Sequence, residues 1–175
     1  MRRSSFAEFH CSLARALEVA GDWWTPLLLR DLFLGADRFE DLVVDLGISR
    51  NLLTTRLGEL IENGLVVTEP YCEHPPRHRY VLTEKGKSLV PIFAALTAWG
   101  DRWETPPGGP PLEFRHGTHH CDPTVTCRHC GEELTADELG TRTGPGARRA
   151  KGTLRVGDLM HGHGDPVDGC GADRA

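Results

Sequence analysis

Apolar residues recur at helical spacing through most of the first hundred positions, and the places where that period breaks outline the elements. Between Cys11 and Ala20, Leu13, Ala16, Leu17 and Ala20 share one face, and Gly21 ends the helix. Asp22 is placed to cap a second helix, DWWTPLLLRDLFLG, with Pro26 in the first turn, where a missing N–H costs little. Leu27, Leu28, Leu32 and Phe33 make that helix apolar enough to be central, and Gly35 closes it. Asp37 to Leu65 then reads as two short helices about Gly47. Phe39, Leu42, Val43 and Leu46 line the first, with Asp37 and Glu40 spaced as a capping pair. In the second, Ser49 is the N-cap, Leu53, Leu57, Leu60 and Ile61 form one stripe, and Asn63-Gly64 terminates it. Two amphipathic helices around a glycine turn are a helix-turn-helix signature.

From Leu65 the pattern becomes β-rich: LVVTE and RYVLT flank YCEHPPRH, a hairpin over 65–82 whose Pro75 and Pro76 require an open loop. A hairpin directly after a helix-turn-helix is a wing. Thr83 caps a last long helix to Trp103, apolar at Leu89, Ile92, Phe93, Leu96 and Trp99. So long a stripe, together with the first helix, points to a two-fold dimer interface, with ordinary core packing as the alternative. TPPGGPP at 105–111 breaks the chain as a linker. The expected plan is a mainly α winged helix-turn-helix domain at 1–104, a short Cys/His segment at 112–140, and an aperiodic, disordered tail at 141–175.

Composition adjusts this picture in two respects. No apolar run among the 175 residues is long enough to cross a bilayer and the first residues lack the apolar stretch of a leader, which points to the cytoplasm. The net charge of −5 weighs against nucleic acid, and it is spread evenly: residues 1–105 carry 12 Lys and Arg against 15 Asp and Glu, and residues 106–175 carry 8 against 10. DNA binding therefore needs a local basic face on an acidic body. The outward front of the second helix offers donors and acceptors and no carboxylates. Ser49, Arg50, Asn51, Thr54 and Thr55 point outward from the front of the second helix, with Arg56 on its flank. Arg to guanine and Asn to adenine are favoured base pairings, so Arg50, Asn51 and Thr54 suit base edges. Arg56, Arg77 and Arg79 suit phosphate.

Six cysteines are unevenly placed, which fits thiol or metal chemistry better than a disulfide scaffold. Residues 116–130 hold four His and three Cys. Cys127-x2-Cys130-Gly131 is the spacing of a zinc knuckle; Cys121 would be the third ligand, with His116, His119 and His120 competing for the fourth. A redox-active dithiol or a metal-poor tail are the other readings of this segment. Cys11, at or near a helix N-terminus, is either a reactive thiol or a buried inert one. His161, His163 and Cys170 carry no assignment.

On Cys11, GDWWTPLLLRDLFLG at 21–35, RFEDL at 38–42, ISRNLLTTRL at 48–57, NGLV at 63–66 and PPRHRYVLTEKG at 75–86, residues 11–103 resemble the HxlR family of winged-helix transcription regulators, relatives of the MarR group. The resemblance implies a homodimer on double-stranded operator DNA, the helix at 49–63 in the major groove, the wing at the backbone or minor groove, and half-sites roughly 34 Å apart. It also implies an oxidant or electrophile response at Cys11. The chain departs from the family in Gly58, where Arg is usual, and in Arg79, where an acidic residue is frequent. Neither a Ser/His/Asp set, a phosphate loop nor paired carboxylates in a plausible cleft is found, so no enzyme is expected. Two rivals remain: a zinc enzyme using 116–130 with Glu132 or Glu133 as base, and a winged helix used for protein contacts alone.

Overall fold

The computed structural model describes residues 5–154, so His161, His163 and Cys170 lie outside the described residues. In chain order it contains α1 (Ser12–Ala20), α2 (Trp24–Leu34), α3 (Phe39–Leu46), α4 (Arg50–Glu62), β1 (Val66–Cys72), β2 (Arg77–Leu82), α5 (Glu84–Lys87), α6 (Val90–Trp103), β3 (Arg115–His116) and β4 (His119–His120). Two compact units divide the described residues, one of 19–133 and one joining 5–18 to 134–154, so the division does not fall in the 105–111 linker.

The core of the larger unit is leucine-rich because α2 brings a wide apolar face against α4 and the wing. Leu28, Leu29 and Leu32 meet Leu42, Leu53, Leu57, Leu60, Leu65, Val66 and Leu82. Leu27 and Phe33, expected in that centre, remain partly exposed, and Leu29 takes the buried place. Asp22 starts α2 as expected, its Oδ1 accepting from the backbone N–H of Trp24 at 2.5 Å and of Thr25 at 3.1 Å. The Ser49 hydroxyl accepts from Leu52 N at 3.4 Å and starts α4. The Asp37/Glu40 pair does not cap α3: its N-cap is Arg38, with no side-chain cap, because Glu40 is taken by Arg50. In α1 the buried residue is Ala14, while Leu13 and Leu17, expected inward, are exposed.

The wing is antiparallel, pairing Val66 with Leu82 through Pro70 with His78, and a register shift follows at Pro70/Cys72. Tyr80 N donates to Asp37 O at 2.8 Å, tying the wing to the start of α3. The single helix expected from Thr83 is two. Thr83 Oγ1 accepts from Gly86 N and caps α5, and α6 restarts with Pro91 in its first turn, where the ring removes the N–H that would have continued the ladder. Gly86 is required at this corner, since a Cβ there would lie 2.2 Å from Leu65 O.

In the smaller unit the N-terminal residues meet Lys151. His10 N donates to Lys151 O at 2.9 Å, the Lys151 ammonium stands 5.2 Å over the Phe9 ring, and Phe9 meets Phe6 edge-on at 5.1 Å. The stretch from 141 is irregular, made of turns, as far as it is described.

Candidate nucleic-acid interface

The α3–turn–α4 pair and the wing belong to one compact unit, and the wing is bonded to Asp37, two residues before α3. Gly47, at φ 60°, makes the turn, and Ser49 sets the first turn of α4 at the surface. Burial of Leu53, Leu57 and Leu60 then fixes which face looks out. Arg50, Asn51, Thr54 and Thr55 are exposed, as the spacing implies. The two threonine hydroxyls donate to the carbonyls of Arg50 and Asn51 at 2.9 and 3.0 Å, which fixes their rotamers and leaves oxygen acceptors facing outward.

Arg50 is held by a carboxylate. Its Nη1 and Nη2 reach Glu40 Oε2 and Oε1 at 2.7 and 2.6 Å, and its guanidinium lies 5.1 Å over the Phe39 ring. The hydrogen bonds from Arg50 hold the Glu40 carboxyl below its ordinary range, and the same pair raises the arginine. On the wing, Arg79 donates to Glu69 across the ladder at 2.8 and 3.1 Å, while Arg77 is exposed with no side-chain partner among the described residues.

Arg56 has a structural position instead of the expected one. Its Nη1 lies 2.9 Å from the buried Asp22 and 2.7 Å from Glu59, and its side chain is only 24% exposed. It ties α4 to the capping aspartate of α2, so a phosphate would have to compete with two carboxylates. A basic group that spacing did not single out is Arg38, whose guanidinium stacks 4.8 Å over the Tyr71 ring of the wing. The only sequence signal for it was its place before α3.

The candidate metal ligands are not assembled. Among the described residues no group of three or more His, Cys, Asp or Glu is arranged to hold a metal ion. His116 and His119 pair across the β3–β4 hairpin, ring centroids 5.4 Å apart, with Cys121 just beyond it. Cys127 and Cys130 share a different turn, where Gly131 N donates to Cys127 O and Gly131 has φ 79°. The backbone N–H of Cys130, then that of His129 and the Cys130 thiol, lower the Cys127 thiol. Cys130 is raised: the Glu132 N–H pulls it down, but its bond to Cys127, desolvation and the neighbouring negative charges outweigh that. Cys127 is thus the more acidic of two adjacent thiols. Cys11 is half-buried, and its carbonyl accepts from Arg15 N in the first turn of α1; Cys72 is half-buried in the wing, its Sγ 3.6 Å from His74 O.

A helix-turn-helix with an outward polar helix and an adjoining hairpin defines a winged-helix protein. The model of the HxlR-like helix-turn-helix family matches residues 19–107, and the chain belongs to that family. An uncharacterized HTH-type transcriptional regulator of Mycobacterium tuberculosis is 46% identical over 137 residues, 77% of this chain and 87% of that one. Another, of Methanothermobacter thermautotrophicus, is 43% identical over 94 residues, 53% of this chain and 72% of the relative. Among solved structures, that of PA1607, a candidate transcription factor, has a TM-score of 0.68 at 32% identity and covers 81% of this chain and 99% of its own. A second candidate transcription factor, from Pseudomonas aeruginosa, has a TM-score of 0.54 at 32% identity and covers 79% of this chain and 95% of its own. The 137-residue match is longer than residues 1–107 together, so the likeness extends into the segment after the winged helix. The protein is a transcriptional regulator of the HxlR type. Among the described residues no helix is long and apolar enough to cross a membrane.

Proposed function

We propose that the protein acts as a homodimer on double-stranded operator DNA, α4 entering the major groove and the wing lying along the backbone. The observation that carries this is the exposed polar front of α4 in the same compact unit as an arginine-bearing wing. Arg50, Asn51 and Thr54 read base edges; Arg77, Arg79 and the stacked Arg38 hold phosphates and set register. Arg56 orients α4 through Asp22 and makes no phosphate contact.

The dimer forms on α6. Its apolar positions divide between two faces: Val90 and Phe93 pack on the core, whereas Ile92, Leu96, Trp99 and Trp103 are 55–63% exposed. These four are spaced i, i+4, i+7 and i+11, a seam suited to a second copy. Cys11, half-buried at the first turn of α1, is the thiol at which oxidation would be read.

Binding to DNA upstream of the protein's own gene, measured at two salt concentrations, tests the reading. Affinity should fall steeply as salt rises; no binding at low salt, or binding indifferent to salt, rejects it. Operator affinity of reduced protein that is unchanged by diamide rejects the thiol response.

A further inference from the structure

An open groove of about 380 Å³ runs between α2 and α6, within the range of small-molecule sites. Leu27, Leu29 and Phe33 of α2 and Phe93 of α6 form its apolar floor. Pro106 and Leu112 close one side, because the proline-rich segment after α6 turns back along the helix instead of leading away from it. Part of this wall lies beyond the family-matched residues 19–107.

The charges around the groove are unequal. Asp101 and Glu104, one α-helical turn apart at the end of α6, line it, and neither side chain has a hydrogen bond or ion pair among the described residues. Arg30 is the basic residue at the groove, and it is already neutralised, lying 2.7 Å from Asp31 and 3.3 Å from Asp45. An apolar floor that ends in two unpaired carboxylates is complementary to an apolar cation. A neutral hydrophobe would leave the carboxylates unused, and an apolar anion would be repelled by them.

We propose that this groove is a binding site for a lipophilic organic cation, with the aromatic or aliphatic body on α2 and Phe93 and the positive centre at Asp101 and Glu104. The occupant bridges α2 to α6, and α2 is the helix whose buried face packs against α4. Occupancy therefore acts on the element that carries α4. The site stands on the groove's geometry and charge; Leu96 on its rim is shared with the proposed dimer seam, whereas operator binding is not needed for it.

Rhodamine 6G serves as the probe cation and 1-anilinonaphthalene-8-sulfonate as the apolar anion, titrated against the full chain by fluorescence. The cation should bind saturably and more tightly than the anion. Asp101→Asn/Glu104→Gln should weaken the cation by about tenfold and leave the anion unweakened. Ala94→Phe, which fills the groove, should abolish cation binding while circular dichroism and the sedimentation coefficient stay unchanged. Equal binding of both probes, no saturable binding, or an unaltered cation affinity in the double variant overturns the proposal. So does dissociation of a dimer by Ala94→Phe, which would assign the groove to a second copy of the chain.

Discussion

Arg50 carries both the case for base recognition and the reason it is restrained. Its bidentate hold on Glu40 is a ready-made substitute for the paired acceptors of a guanine edge, and in the proposed complex the one is exchanged for the other. Glu40→Gln should strengthen operator binding by about threefold, the scale of an exposed ion pair, with little change in fold; titration of an operator duplex by anisotropy checks it, and weaker binding would mean that Glu40 positions Arg50 instead of restraining it. A second acidic residue gives a pH signature. Burial raises Asp31 above 3.8, against the pull of Arg30. A raised carboxyl holds its proton more firmly in the folded state, so its contribution to stability is fullest below 3.8 and is lost as pH rises through the folded value. The difference in urea stability between the protein and Asp31→Asn should therefore move in favour of the variant as pH goes from 3.5 to about 6; a difference constant with pH refutes it. At this scale the sequence is legible where a residue acts locally, as Asp22 and Ser49 do at their caps. It is not legible where the partner is distant: nothing in the spacing links Arg56 to Asp22, 34 positions earlier, or Arg38 to Tyr71.

Helices and strands were legible to the extent that periodicity and punctuation governed them. The α3–turn–α4 pair and the wing follow from leucine spacing, Gly47 and the proline loop. The break between α5 and α6 was hidden because the apolar stripe runs through it; Pro91 and the tight corner at Gly86 decide it locally. The Cys127-x2-Cys130-Gly131 spacing specified the turn, whose geometry is local, and not a ligand set, which needs donors from a second hairpin. Two helical glycines make opposite predictions. At Gly58 a methyl group would meet nothing within 4 Å, so Gly58→Ala should stabilise the protein by about 1 kcal/mol through helix propensity. Gly86→Ala should cost about 3 kcal/mol, because the methyl group meets backbone rather than a movable side chain. Urea denaturation of both variants measures the pair; equal and small effects would show that the corner at Gly86 relaxes.

At the scale of the whole molecule, a charge of −5 and a DNA-binding role are reconciled by distribution. Among the described residues at α4 and the wing, ion pairs occupy Arg50, Arg56 and Arg79 and leave only Arg77 and the ring-stacked Arg38 without a carboxylate, so the positive field there is weak per subunit. Two weak half-site contacts become a tight one when they are joined, since the second contact is made at high effective concentration. Operator binding should thus depend on the dimer more than on any one arginine. Ile92→Ser/Trp99→Ser tests this. Both side chains are exposed and belong neither to the buried core nor to the α2–α6 groove, and neither change alters charge. Sedimentation should report a monomer at micromolar concentration, and affinity for a two-half-site operator should fall by about a hundredfold, while the weak affinity for an isolated half-site stays within twofold. A double variant that remains dimeric would move the interface away from this seam; one that becomes monomeric but still binds the full operator as tightly would show that a single subunit carries the affinity.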